Sequence, residues 1–110
     1  MKVEQKGHIT IIRNTQCGTA AFYQKLSHEY NSYKTQNLIV DLSHDKNVTM
    51  ADIKLFLEMT KTHTKEKKSL VLVADNINFN AVPAKLTVVP TILEAHDIIE
   101  MDEIERDLGF

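Results

Sequence analysis

The chain has 110 residues, enough for one hydrophobic core and too few for two ordinary domains. Apolar residues make up 43% of it and charged residues 25%, the balance of a folded globule and not of a disordered chain. With 13 basic against 15 acidic side chains the formal charge is −2, which excludes a whole-surface bias towards nucleic acid or anionic membrane.

The opening Met1-Lys2-Val3-Glu4-Gln5-Lys6 has no apolar stretch behind it, so no secretory signal is expected. No apolar run approaches the roughly 20 residues that span a bilayer, and no membrane role is expected. Cys17 stands alone, which rules out an intrachain disulfide and a cysteine-based zinc knuckle and points to a cytoplasmic setting. Ile9 to Ile12 form a short apolar β-type run, with Val3 placed to pair before it across Gly7. Gly18 and Thr19 mark a break, Thr19 as a helix N-cap. From Ala20 to about Lys34, Phe22, Leu26, Tyr30 and Tyr33 recur at helical spacing.

Leu38-Ile39-Val40-Asp41-Leu42 is apolar on both faces, as a central strand covered on both sides requires. Ser43 to Val48 is polar and loop-like, and Thr49-Met50-Ala51-Asp52 has the spacing of a capping box. A helix follows through Ile53, Phe56, Leu57 and Thr60, ending in Lys65, Lys67 and Lys68, cations suited to a C-terminal dipole. Ser69 to Ala74 predicts a second buried strand, Asp75 to Ala84 a loop or one short helical turn, and Leu86 to Val89 a further strand stopped by Pro90. Thr91-Ile92-Leu93-Glu94 repeats the capping-box spacing. The closing helix carries Ile92, Ala95, Ile98, Ile99, Ile104 and Leu108, with a break expected near Met101. Strands alternating with helices predict an α/β domain over residues 1–110, a mostly parallel sheet of four to five strands with helices packed on it.

Several chemistries are missing. Glycine occurs only at Gly7, Gly18 and Gly109, so neither a phosphate-cradling loop nor a dinucleotide fingerprint exists, and no cofactor is expected. No two of His8, His28, His44, His63 and His96 lie at i and i+4, so the usual helical zinc signature is absent and no metal is expected. Cys17 has no histidine placed as its base. Asn14 and Thr15 stand where a phospho-acceptor receiver would need an acidic pair. Lys61, Lys65, Lys67 and Lys68 form a local basic patch without interleaved aromatics, the pattern of a solvated helix end more than of a nucleic-acid surface. Glu94 to Asp107 is acidic, and its Ile and Leu positions, ending in Leu108 and Phe110, could serve a partner or a homodimer contact.

One group remains. Ligands of parallel α/β sheets gather at the carboxyl ends of the strands, where Asp41, His44, Asp45 and Asp75 fall. Converging there, they could bind a metal or perform acid–base work; apart, Asp41 and Asp75 would cap loops and His44 would be solvated.

The arrangement resembles the STAS domain family of anti-sigma-factor antagonists over about residues 8 to 100. The points of similarity are Ile9-Thr10-Ile11-Ile12, the helix from Ala20 to Lys34, Leu38-Ile39-Val40-Asp41-Leu42-Ser43, the helix from Ile53 to Lys65, Leu70-Val71-Leu72-Val73, and Pro90-Thr91-Ile92-Leu93-Glu94-Ala95. The resemblance implies a STAS-like protein-interaction or regulatory module, no enzyme, with a regulatory kinase or a sigma-factor regulator as partner. Its working surface would be Ser43, His44, Asp45, Thr49 and Met50. The family's switch is a Ser in an Asp-Ser-Ser-Gly segment. Val48-Thr49-Met50-Ala51-Asp52 has neither Ser nor Gly, which leaves Thr49 as the candidate phosphorylation site and implies that the usual Ser switch is missing. The C-terminal half also resembles short bacterial proteins that carry the name ribonuclease Z. The His-x-His-x-Asp-His motif of that enzyme is absent here, so an accessory role to a ribonuclease is the most that likeness implies.

Overall fold

A computed structural model describes residues 1–15 and 18–109. Cys17, weighed above as a nucleophile, and Phe110, weighed as an exposed contact, lie outside the described residues. The chain order is β1 (Lys2–Lys6), β2 (Ile9–Arg13), α1 (Thr19–Glu29), a 3-10 turn at Tyr30–Ser32, β3 (Asn37–Asp41), α2 (Met50–Lys54), α3 (Leu57–Lys65), β4 (Leu70–Val73), a 3-10 turn at Phe79–Ala81, β5 (Val88–Val89) and α4 (Ile92–Asp107). The strands form one sheet in the order β1-β2-β3-β4-β5. β1 is antiparallel to β2 and the remaining pairs are parallel.

Val3 does pair with Ile12 across a two-residue connection, and Gly7 takes the φ of 62° that such a tight turn needs at its first position. All five residues of β3 are buried, as its two-faced apolar run requires. Alternation along the strands divides the core into two layers. Ile12, Leu38, Val40, Leu70 and Leu72 meet Phe22 and Leu26 of α1, Ile53 of α2 and Met59 of α3 on one face. Ile9, Ile11, Ile39, Val71, Val73 and Val89 meet Ala95 and Ile99 of α4 on the other.

Three helix expectations change. The first helix ends at Glu29, not Lys34, and tightens into the 3-10 turn. The helix after Thr49 is interrupted at Leu55 and Phe56, where i→i−3 bonds from Leu55 N–H to Asp52 O and from Phe56 N–H to Ile53 O replace the wider α pattern. The tightening delivers Phe56 to full burial, edge-on to Tyr23 with ring centroids 5.0 Å apart. The last helix does not break near Met101, because nothing between Ile92 and Asp107 is Gly or Pro. Its apolar residues do not all face the core: Ile104 and Leu108 are exposed. The strand expected over Leu86–Val89 shrinks to its last two residues.

At the end of α3, Lys67 adopts φ 60° in the left-handed position usually given to glycine. Lys68 N–H reaches His63 O at 3.2 Å and Lys67 N–H reaches Thr64 O at 2.9 Å, a complete Schellman closure.

Candidate functional site

The carboxyl ends of β2, β3 and β4 converge on the loop from Leu42 to Thr49. Its backbone is tied down on both sides: Asn14 N–H donates to Asp41 O at 3.0 Å and Leu42 N–H to Val73 O at 2.8 Å. Asp41 closes the turn above β3, its Oδ1 accepting the Ser43 N–H at 2.9 Å and the Ser43 hydroxyl at 2.6 Å. Its Oδ2 lies 3.8 Å from Arg13 Nε, and Arg13 Nη1 lies 3.4 Å from Glu4. Parallel pairing sets Arg13 beside Asp41 in register. Arg13 was not singled out in the sequence, because the pairing that brings it to Asp41 spans 28 positions.

Asp45 has a different task. Its Oδ2 accepts both the Thr19 N–H at 3.1 Å and the Thr19 hydroxyl at 2.8 Å, while its Oδ1 accepts the Asn47 N–H at 2.9 Å. The N-cap of α1 is Gly18, with φ 95° and no side chain to offer. Asp45 therefore caps α1 from another loop, and Thr19, expected as the cap itself, is the first helical residue. The Asn47 N–H first, then the Thr19 hydroxyl, hold the Asp45 carboxyl below its ordinary pKa.

Thr49 builds the expected box: its Oγ1 accepts the Asp52 N–H at 3.2 Å, and Asp52 Oδ2 accepts the Thr49 N–H at 3.1 Å. At the second such spacing, Thr91 Oγ1 accepts the Glu94 N–H at 3.2 Å. Asp75 lies 3.8 Å from Lys46, both side chains well exposed, and Asn76 donates to Lys46 O at 3.0 Å, which joins the loops after β3 and β4.

The four residues considered for a ligand cluster are thus divided. Asp41 and His44 both line an open hollow of about 580 Å³ with Lys2, Arg13, Ser43 and Lys46. Asp45 is turned under α1 and Asp75 is held by Lys46, and neither lines that hollow. Among the described residues no three His, Cys, Asp or Glu side chains are grouped to hold a metal. Among the described residues the hollow presents the Asp41 carboxylate and the His44 imidazole together with the cations Lys2, Arg13 and Lys46. Around it the crest of the loop is accessible: His44, Lys46, Asn47 and Thr49 are exposed, and Ser43 and Met50 are half-buried.

A second polar site was not foreseen. His63 of α3 is fully buried. Its Nε2 lies 2.6 Å from Gln36 O, a pure acceptor, so Nε2 carries the proton; its Nδ1 accepts the Tyr30 hydroxyl at 2.6 Å. Burial lowers the His63 pKa against the opposing pull of the Gln36 carbonyl and of Glu66. Burial, and then Glu66, raise that of Tyr30. Helical periodicity places His63 on the inner face, but its partners lie 27 and 33 positions away and leave no local trace.

No protein-family model matches the chain, and no curated protein matches it. Among the described residues no helix is long and apolar enough to cross a membrane.

Proposed function

We propose that this chain is a STAS-like protein-interaction module of the anti-sigma-factor-antagonist kind, a regulatory or accessory subunit working in the cytoplasm, and that its contact surface runs from Ser43 to Met50. One observation carries the reading. The loop is exposed along its crest yet anchored from beneath by Asp41 and Asp45, whose carboxylates bond its own backbone and α1. A surface held in one shape before contact loses little freedom on binding, which favours recognition. The antiparallel pair leading into parallel strands, with helices on both faces, agrees with the same reading.

The regulatory partner on this reading is a kinase or sigma-factor regulator that reads the crest residues His44, Lys46 and Thr49. Thr49 is exposed and is the modification site of this reading, but its hydroxyl already serves the capping box. Phosphate there would still offer acceptor oxygens to the Asp52 N–H at the amino end of α2, against the opposing charge of the Asp52 carboxylate, and no Ser stands in the segment Val48–Asp52. The module therefore works without the Ser switch.

The test is affinity capture from the chain's own cell extract with the wild type and with a His44→Glu/Lys46→Glu variant, both changes lying on exposed positions. A kinase or sigma-factor regulator recovered by the wild type and lost by the variant is the expected result. The same partners held equally by both proteins would remove the loop as the contact surface. A ribonuclease recovered by both would replace the proposal with the accessory role.

A further inference from the structure

The outer face of α4 has the wrong polarity for a solvated helix. Leu93, Met101, Ile104 and Leu108 are 72%, 61%, 59% and 66% exposed. At about 100° per residue they fall within roughly 80° of arc, diametrically opposite Ala95 and Ile99, which pack on the sheet. The ridge runs about 22 Å, a rise of 1.5 Å per residue over four turns.

The inner face of the same two C-terminal turns is polar, and it is locked. Asp102 accepts the Ser69 hydroxyl at 2.8 Å, Glu103 accepts from the Asn37 amide at 3.3 Å, and Arg106 donates to Ser69 Oγ at 3.2 Å. These bonds seat α4 on the amino ends of β3 and β4. The helix cannot roll its apolar ridge inward without breaking them.

The ridge also has a rim of one sign. Glu100 and Asp107 flank it on one side, Glu94 and Glu105 on the other, and Asp97 interrupts it between Leu93 and Met101; all five are exposed. Arg106, the only Lys or Arg of α4, is half-buried in the network with Ser69 and Asn37. A second copy laid antiparallel on the same face would bring acidic rim against acidic rim, which disfavours self-pairing.

We infer that the outer face of α4 is a docking site for a basic amphipathic helix of a partner protein, one that sets apolar side chains on Leu93, Met101, Ile104 and Leu108 and Lys or Arg against the rim and Asp97. Helix-on-helix recognition reads such i, i+3, i+4 anchors, and the charge pattern sets orientation and partner choice. This surface is independent of the Ser43–Met50 loop and stands or falls separately from it.

The experiment titrates the isotope-labelled protein with a synthetic helical peptide bearing Leu along one side and Lys on its flanks, and with the same peptide carrying Glu for Lys. The basic peptide is expected to shift the amide resonances of α4, to weaken as salt rises, and to bind Met101→Lys/Ile104→Lys at least about tenfold less tightly. The Glu peptide is expected not to bind. Glu100→Lys/Glu105→Lys, which keeps the ridge, is expected to lose the basic peptide as well. Thermal melting checks that all variants stay folded, as changes at exposed positions predict. Equal binding of the basic peptide to wild type and ridge variant would overturn the proposal as mere charge attraction. So would shifts centred away from α4, or α4 shifts that follow protein concentration alone, the mark of a second copy.

Discussion

Two buried side chains carry much of the local chemistry, and both make stability depend on acid in a defined window. Asp45 is ionised in the folded chain at pH values where the unfolded chain would take up a proton, because Asn47 and Thr19 donate to it. Its contribution is complete above about pH 4 and is lost as pH falls further. Asp45→Ala removes the side-chain cap of α1 seen among the described residues and strands the buried Thr19 hydroxyl, so urea unfolding at neutral pH should show a loss of about 1–2 kcal/mol. A variant as stable as the wild type would mean that α1 is capped by other means. His63 acts at milder acidity. Its folded pKa lies below the ordinary value, so the unfolded chain binds the extra proton first. Stability is then full above about pH 6.5 and falls as pH drops below it. His63→Gln should lower stability throughout, since Tyr30 and Gln36 O lose their geometry, but should flatten the decline between about pH 6.5 and 5. The same slope in both proteins would assign that decline to other groups.

Among the elements, the interrupted α2–α3 segment shows best how a tertiary demand overrides a local preference. Its capping box, inner-face apolar spacing and lysine-rich end were all legible in the sequence, because each is a signal within four residues. The break was not legible, since Leu55-Phe56 contains neither Gly nor Pro. The tighter turn coincides with a contact 33 positions away in sequence, Phe56 set edge-on against Tyr23 of α1. Phe56→Ala should therefore cost about 3–5 kcal/mol by denaturant unfolding. Leu55→Ala, one position along and 38% exposed, should change stability by no more than about 0.5 kcal/mol. Comparable losses at both positions would show that the turn is not built for Phe56. The loop above β3 divides in the same way. Asp41 closing its own turn is a two-residue relation and was expected as one of two outcomes. Asp45 capping α1 across 26 positions was visible only once the strands were in register.

In the whole molecule, the sheet order follows from the pattern of burial along each strand. The runs at Leu38–Leu42 and Leu70–Ala74 are apolar at every position but Asp41, and both strands are covered on both faces, as is the shorter apolar run of β2. What the pattern could not tell is which way α4 faces. Isoleucine and leucine occur all round that helix, and the choice is made by Asn37 and Ser69, which belong to β3 and to the residue before β4. The same asymmetry predicts a gradient of opening. β3 has hydrogen-bonded neighbours on both sides, β2 and β4, and every one of its residues is buried. β1 pairs on one side only, and four of its five residues are exposed. Amides that open only with global unfolding should therefore cluster in β3 and β4, while β1 exchanges through local fraying. Hydrogen exchange followed by nuclear magnetic resonance checks the order. Charged Lys2, Glu4 and Lys6 on β1 are the side chains by which an open edge resists pairing with another chain. If β1 exchanged as slowly as β3, that edge would have to be covered in solution, and the lysines would have failed to keep it free.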